Sequence, residues 1–427
     1  MIYTFDSLNI TDDTREAQEG VALLRCEQNA AYIQNSDFMT VAQLIERYDL
    51  DSVKIIGVTG TNGKTTTAAA IYSILNDLGY KAALQGTRGF FVADEFVAPK
   101  THTTPPILQT LYHLFLAKKM GAEFFVMEVS SHAIDQNRIE GLEFALKVLT
   151  NISQDHLDYH KSMERYIATK SRFFADESLK LINKEETKIE YNLKNARTYA
   201  IEEMATYKIA AYSLEEGISA ILQHGAQMVD FHSPLLGLFN LYNITAAIAA
   251  AHLVTNEPLE RICEAVENFA GVRGRMEIVS YDPLIVVDFA HTPDGMQKVL
   301  ESFPGKKIAV VFGAGGDRDR EKRAKMGAVA ARFATKVYLT SDNPRSEDPE
   351  AIIADIKQGV GEDVYCQTII DRKAAIKQAI EELEKDEILL VLGKGDEEYM
   401  EIDDQKVPFN DVTVIEEILN SKISSGS

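Results

Sequence analysis

The chain has 427 residues, 45% hydrophobic and 26% charged, with 65 acidic against 44 basic side chains and a formal net charge of −21. This is a globular composition with material for about two to three domains. The acidity argues against nonspecific binding of nucleic acid or an anionic membrane, so an anionic substrate needs a local basic site.

The N-terminus MIYTFDSLNITDD lacks a basic stretch and a long apolar core, so no signal peptide is expected. No apolar run is read as approaching the length of a membrane span, and a soluble cytoplasmic protein is expected. Cys26, Cys263 and Cys366 are scattered, in no metal spacing, and are read as small buried hydrophobes in a reducing compartment.

Residues 1–50 form a small leading segment. KIIGV at 54–58 reads as a strand, and KTTTAAAIYSILNDLG at 64–79 has helical spacing closed by Gly79. KAALQG reads as a second strand, PPILQTLYHLFLAKKMG as a helix, EFFVMEVSS as a third strand and FALKVLTNIS as a fourth, leading into DHLDYH. The alternation predicts an α/β fold with a parallel sheet covered by helices. After GVRGRME a second alternating block begins, in which LIVVDFAH, KKIAVVFGAGG, KVYLTSDNP and EILLVLGKG read as strands ending in polar or glycine-rich loops. The tail SKISSGS is read as frayed. Ligands of open α/β sheets gather at strand C-termini, where the chemically rich residues of both blocks fall. The expected organisation is a small N-terminal domain (1–50), a central phosphate-loop domain (51–274) and a C-terminal Rossmann-like domain (275–427).

Between the first strand and helix lies GVTGTNGKTT, 57–66. The common phosphate-loop spelling G-x-x-x-x-G-K-[ST] requires glycine at 58, where Val58 stands. The physics of a phosphate cradle survives the misspelling. Gly57, Gly60 and Gly63 let backbone amides approach an anion, and the following helix adds its positive dipole end. Lys64 supplies a full charge for the outer phosphates and Thr65 a hydroxyl for Mg²⁺. A phosphate loop by itself says only that a nucleotide binds.

In MEVSSH (127–132), Glu128 closes a strand where an acid can ligate Mg²⁺. In DHLDYH (155–160), His156 is a candidate metal ligand, set against the commoner loop or packing histidine. Lys170, on SMERYIATKSRFFADE, taken alone reads as a solvated helix lysine. GGDRDREKR (315–323) and DNPR (342–345) each follow a strand and place Arg318 and Arg345 where carboxylates can be held, against the reading of surface ion pairs.

GVTGTNGKTT, THTTP, MEVSSH, NISQDHLDYH, FNLYN, RGRME, VDFAHTPD, GAGGDRDREKR, DNPR and GKGDEEY occur in the order seen in the Mur ligases, and the chain resembles that family over roughly residues 50–400. The stretched glycine spacing is the Mur form of the loop. The resemblance implies a three-domain ligase of peptidoglycan synthesis. ATP would phosphorylate the D-glutamate γ-carboxylate of UDP-N-acetylmuramoyl-L-alanyl-D-glutamate, and an amino acid would attack the acyl phosphate. It implies ATP contacts at Gly60, Thr61, Asn62, Gly63, Lys64, Thr65 and Thr66, and at Asn240, Asn243, Arg275 and Asp288. Two Mg²⁺ are implied, the first on Thr65, the second on Glu128 and His156 with Lys170 as a carbamate. Lys64, Glu128, His156 and Lys170 would be the catalytic set. Thr103, Thr104, Ser130, Gln136 and Arg138 match contacts to the UDP-dipeptide. DDTREAQEG resembles a weakened uridine-binding segment, with Thr14 and Arg15 as its contacts.

DNPR resembles the members that add meso-diaminopimelate. Asp342, Asn343, Pro344 and Arg345, with Arg318, Gly393 and Glu397, would form that pocket. Arg345 and Arg318 would hold the far carboxylate that lysine lacks, and Glu397 the distal ammonium. Asp396 departs from the histidine usual in the family. Domain closure that excludes water is also implied, as is a monomer without nucleic-acid or membrane partners. A folylpolyglutamate synthetase shares the loop form, but DNPR, GKGDEEY and MEVSSH favour the first reading. A regulatory phosphate-loop ATPase would need neither the arginines nor GKGDEEY.

Overall fold

The apolar segments read as strands around the glycine loop pair into one sheet because they are buried on both faces, as parallel strands covered by helices must be. The computed structural model describes residues 1–33, 38–403 and 405–425. It divides into two units, one of Met1–Ser153, His160–Pro234 and Asn240–Ala270, the other of Gln154–Tyr159, Leu235–Phe239 and Gly271–Ser427.

In the first unit an 11-stranded sheet carries Lys54–Thr59 at its centre, between Phe144–Leu149 and Phe124–Glu128. From Tyr207–Ser213 across to Ala82–Gly86 the strands run parallel. Both flanks are antiparallel: Ile218–His224 and Gln227–Ser233 at one side, Gly89–Val92 and Glu95–Ala98 at the other. The expectation of a parallel sheet therefore holds for the centre and is corrected at the edges. There QMVDFHS, for example, alternates exposed and buried residues, the period of a strand with one wet face.

The helix after the glycine loop spans Lys64–Asp77, with Gly79 left-handed (φ 93°) just beyond it. The next spans Ile107–Lys119. The leading segment has its own four-stranded sheet, Tyr3–Phe5, Leu8–Thr11, Val21–Arg25 and Met39–Thr40. It shares one apolar core with the rest of the unit: Phe5 packs its ring 5.4 Å from Tyr112 and 5.1 Å from Phe115.

Helix Leu238–Thr255 corrects the expectation about apolar runs. Over 18 residues its mean hydropathy is 1.3, enough by length and composition to cross a membrane, but 61% of it is buried inside the protein, the pattern of a core helix.

The second unit is built on a six-stranded sheet in the order Glu277–Tyr281, Leu284–Asp288, Glu387–Leu392, Lys307–Phe312, Lys336–Leu339, Tyr365–Thr368. Only the first pair is antiparallel. Apolar cores cover both faces, one around Val310 and Leu390, the other around Val311 and Leu389. A hairpin, Tyr399–Ile402 with Gln405–Pro408, starts on the last residue of GKGDEEY. The tail expected to fray is helical to Ser425, and residues 426 and 427 lie outside the described residues. Cys26 and Cys263 are buried and Cys366 is half-buried, all three unpaired.

Candidate active site

The glycine loop is held from behind by the strand end Thr150–Ser153. Thr61 N donates to Asn151 O (2.8 Å) and Asn62 N to Asn151 Oδ1 (3.0 Å), while Thr150 Oγ1 donates to Asn62 O (2.6 Å). Thr61 Oγ1 lies 2.9 Å from Tyr166 OH, on the helix Met163–Arg172. Two glycines are required by contact as well as by conformation. A Cβ on Gly60 would lie 1.8 Å from Thr150 Oγ1, and one on Gly63 would lie 2.3 Å from Asn243 Oδ1. Both glycines have positive φ, 151° and 83°.

Asn243 therefore sits directly behind the loop's last glycine. It also accepts from Thr67 Oγ1 (3.3 Å) and donates to Asn240 Oδ1 (3.0 Å), so both asparagines of FNLYN belong to the loop's support. Thr66 is buried. Lys64 Nζ folds back to donate to Gly60 O (2.9 Å) and Thr61 O (2.8 Å).

Lys170 corrects its bland reading. It is 1% exposed, not a solvated helix lysine, and its Nζ donates to Gly60 O (2.9 Å) and Thr59 Oγ1 (3.2 Å) and lies 5.2 Å from the Tyr166 ring centroid. The helix carries it there because Tyr166 and Lys170 share one face at a spacing of four.

Glu128 pairs in register with Val58 beside the loop and is buried. Its carboxylate accepts from Thr65 Oγ1 (2.9 Å), Thr87 N (2.7 Å) and Thr87 Oγ1 (3.2 Å). Thr104 Oγ1 donates to Glu128 O (2.9 Å) and accepts from Ser130 N (2.9 Å). Arg138 Nη1 donates to Thr104 O (3.0 Å) and Nη2 to Gln136 Oε1 (2.5 Å). Thr103 reaches the same cluster through Thr87 (3.4 Å). Arg138, Gln136, Ser130, Thr104 and Thr103 thus form one hydrogen-bonded run ending at Glu128 and Thr65. Thr14 and Arg15 stand apart from it: Arg15 is exposed and forks onto its own neighbour Asp13 (2.7 Å).

Sequence reasoning missed Thr87, Thr150, Asn151 and Tyr166. Thr87 immediately follows the strand Ala82–Gly86, so the strand-end rule pointed at it. The second histidine of DHLDYH, His160, is a packing residue. Its Nε2 meets Ser131 Oγ at 3.0 Å, and burial, then His132, push its pKa below the ordinary value.

His156 belongs to the second unit and has a left-handed backbone (φ 53°). Its Nε2 is 3.4 Å from Asp155 Oδ2, and Asp155 also takes Lys322 Nζ at 2.8 Å. Burial alone would raise the Asp155 carboxyl. His156, Lys322 and His291 together outweigh it and hold the group well below the usual carboxylate range.

Asp288 is buried, and burial raises its pKa against the pull of Arg275. Its two oxygens accept from Met276 N (2.8 Å) and Ala290 N (2.7 Å), which pins the RGRME turn. The Arg275 guanidinium lies 4.3 Å from the centroid of the Phe289 ring.

The DNPR loop and GKGDEEY are brought together. Asn343 Nδ2 donates to Glu397 Oε2 (2.9 Å), and Lys394, fully buried, donates to Asn343 Oδ1 (3.1 Å), Glu397 Oε2 (2.8 Å) and Tyr399 O (2.8 Å). A Cβ on Gly393 would fall 2.5 Å from Asp342 Oδ2. Pro344 O closes against Gly316, 1.9 Å from where a Cβ would stand. A Cβ on Gly315 would touch Arg345 Nη1 (3.0 Å) and the Arg318 side chain (3.7 Å), so both arginines border one glycine. Arg318 is exposed and makes no ion pair among the described residues, whereas Arg345 is paired with Glu401 (2.8 Å). Lys394 was within a recognised motif but carried no assignment. Glu401 lay outside every motif.

Residues 58–251 match the Mur ligase middle domain, and residues 274–395 the Mur ligase, glutamate ligase domain. A curated relative from Wolinella succinogenes, UDP-N-acetylmuramoyl-L-alanyl-D-glutamate–2,6-diaminopimelate ligase, is 54% identical over 94% of each chain. A solved structure of a ligase of the same name is 31% identical, covers 97% of this chain and 95% of its own, and superposes with a TM-score of 0.67. Mycobacterium tuberculosis folylpolyglutamate synthase complexed with ADP and AMPPCP reaches 0.69 at 16% identity, over 82% of this chain and 91% of its own, a likeness of fold.

Proposed function

The chain belongs to the Mur ligases, and from that membership we propose that it is the ATP-dependent ligase joining meso-diaminopimelate to the D-glutamate γ-carboxylate of UDP-N-acetylmuramoyl-L-alanyl-D-glutamate in peptidoglycan synthesis. The observation that carries this reading is the hydrogen-bonded run from Arg138 through Thr104 and Ser130 to Glu128 and Thr65. It links a cationic side chain suited to an anionic substrate to the phosphate loop through one chain of hydrogen bonds.

The γ-carboxylate oxygen attacks the terminal phosphorus of ATP and ADP leaves. The amine of the amino acid then attacks the acyl carbon, loses its proton, and phosphate departs from the tetrahedral intermediate. Lys64 is the group that neutralises charge growing on the transferred phosphoryl, with loop amides and the helix start behind it. Its ammonium donates to the loop carbonyls of Gly60 and Thr61, contacts it would exchange for phosphate oxygens when nucleotide binds.

Thr65 and Glu128 would hold Mg²⁺. A hydroxyl and a buried carboxylate 2.9 Å apart are hard oxygen donors suited to it, and the ion supplies charge neutralisation where two anions must meet. For a second Mg²⁺ we propose Lys170 as its carbamate, an anion in place of a cation. As an amine it spends two N–H donors on Thr59 and Gly60, and a carbamate keeps one. His156 keeps a metal-ligand role on its motif alone. Thr14 and Arg15 keep the uridine on the same ground, as Asn240, Asn243, Arg275 and Asp288 do the nucleotide. In the second unit Arg345 and Arg318 receive the far carboxylate and Glu397 the distal ammonium. The same reading makes it a cytoplasmic monomer, and the net charge of −21 disfavours nucleic-acid and anionic-membrane partners.

The test is an amino-acid panel with purified protein, ATP, Mg²⁺ and the UDP-dipeptide. Turnover with diaminopimelate far above that with lysine is expected. Lysine as the better substrate would overturn the assignment.

A further inference from the structure

Arg345 is an arginine in an unfavourable backbone conformation. Its φ of 51° lies in the left-handed region, where a long side chain is strained and must be held by its surroundings. One residue supplies most of the hold. Glu401 N donates to Asn343 Oδ1 (2.9 Å), Glu401 O accepts from Arg345 N (2.9 Å), and the Glu401 carboxylate accepts from Arg345 Nε (2.8 Å). Asp403 N adds a bond to Arg345 O (2.9 Å), and buried Lys394 fixes Asn343 in turn.

The guanidinium is thereby held at two of its three nitrogens. Nε goes to Glu401, and one Nη1 hydrogen to Gly316 O (2.7 Å). Among the described residues Nη2 has no partner, and the side chain keeps 25% exposure. What remains is the end-on fork of Nη1 and Nη2, which can present two N–H groups to a carboxylate.

We infer that Glu401 is a positioning residue for amino-acid specificity: it fixes the rotation of the Arg345 guanidinium so that its end-on fork meets the far carboxylate of the incoming amino acid. This rests on the reading of the second unit as the diaminopimelate site. Glu401 also balances the arginine's charge, through Nε, a nitrogen outside the pair offered to the ligand.

The test is steady-state kinetics of Glu401→Ala and Glu401→Gln with diaminopimelate, with lysine and with varied ATP. Glu401→Ala is expected to raise the KM for diaminopimelate about tenfold, the scale of one charge-assisted hydrogen bond. The KM values for ATP and for lysine, which has no far carboxylate, stay unchanged. Glu401→Gln, which keeps an acceptor oxygen for Nε, restores most of the affinity. A lower KM for diaminopimelate in Glu401→Ala would make Glu401 a competitor for Arg345 and overturn the inference, as would an equal rise in all three constants. A wild-type protein indifferent to diaminopimelate would sink the substrate reading itself, and the inference with it. The inference fails alone when wild type prefers diaminopimelate and Glu401→Ala keeps that preference intact.

Discussion

Around the phosphate loop of the first unit, chemistry is carried by hydroxyls, backbone groups and one buried carboxylate, and both lysines, Lys64 and Lys170, rest on loop carbonyls. Around DNPR in the second unit, most of the buried or half-buried cations meet a carboxylate: Arg345 with Glu401, Lys394 with Glu397, Arg323 with Glu347, Arg372 with Asp411. The difference follows from what each region handles. A cradle for a triphosphate needs donors whose partners can be exchanged. A pocket for a zwitterionic amino acid needs charges of both signs at fixed places, and fixed buried charges need partners.

Changing one cation in each region tests this contrast. Lys170→Ala has the largest expected effect, a loss of ligation of about 10³-fold or more if the residue organises charge at the reacting phosphate. Added short carboxylates should partly restore the rate. Undiminished activity would remove Lys170 from the chemistry, and loss without rescue would separate it from a carbamate role.

In the second unit, Arg372 and Asp411 are both fully buried, and the guanidinium also reaches Leu392 O (2.9 Å). Arg372→Met leaves an unpaired carboxylate in the core and should cost about 3–5 kcal/mol of unfolding free energy in denaturant melts. Combined with Asp411→Leu, much of that should return. A single variant within about 1 kcal/mol of wild type would show that the pairing is incidental.

His113 offers a smaller, pH-dependent effect in the first unit. It stacks on Phe90 at 4.2 Å with Nδ1 2.7 Å from Gln85 Oε1, and burial lowers its pKa from 6.5 to about 4. Between those values the unfolded chain carries the proton and the folded chain does not, so stability falls as pH drops from 6.5 towards 4 and the loss is complete below it. The decline is roughly 3 kcal/mol at most. His113→Gln should flatten that part of the profile, whereas an unchanged acid slope would place the proton elsewhere.

The mildest change expected is in Arg345→Ala. The KM for diaminopimelate should rise about tenfold to thirtyfold while that for ATP holds. Equal rises in both would blur the division of labour between the units.

The same contrast explains what could be read from sequence. The phosphate loop is a local device: strand, glycines, Lys64 and Thr65 lie within a dozen residues, and the glycine spacing states the backbone geometry. Glu128, Arg318 and Arg345 were found because strand ends are where such sheets place function, whereas Thr104 and Asp342 came only with the family resemblance. Partnerships across long separations could not be read. Nothing in DNPR announces Glu401, nothing in FNLYN says that Asn243 backs Gly63, and Lys170 looks like any surface lysine until its helix is packed. The antiparallel flanks were missed because their alternating, half-wet strands lack the continuous apolar runs of the centre.

The most direct measurement is phosphate release from ATP by the purified protein, with the UDP-dipeptide and diaminopimelate supplied separately and together. Release in step with amide formation, and only when both are present, is the predicted result. Brisk hydrolysis with neither present would contradict a ligase and leave a nucleotide hydrolase in its place.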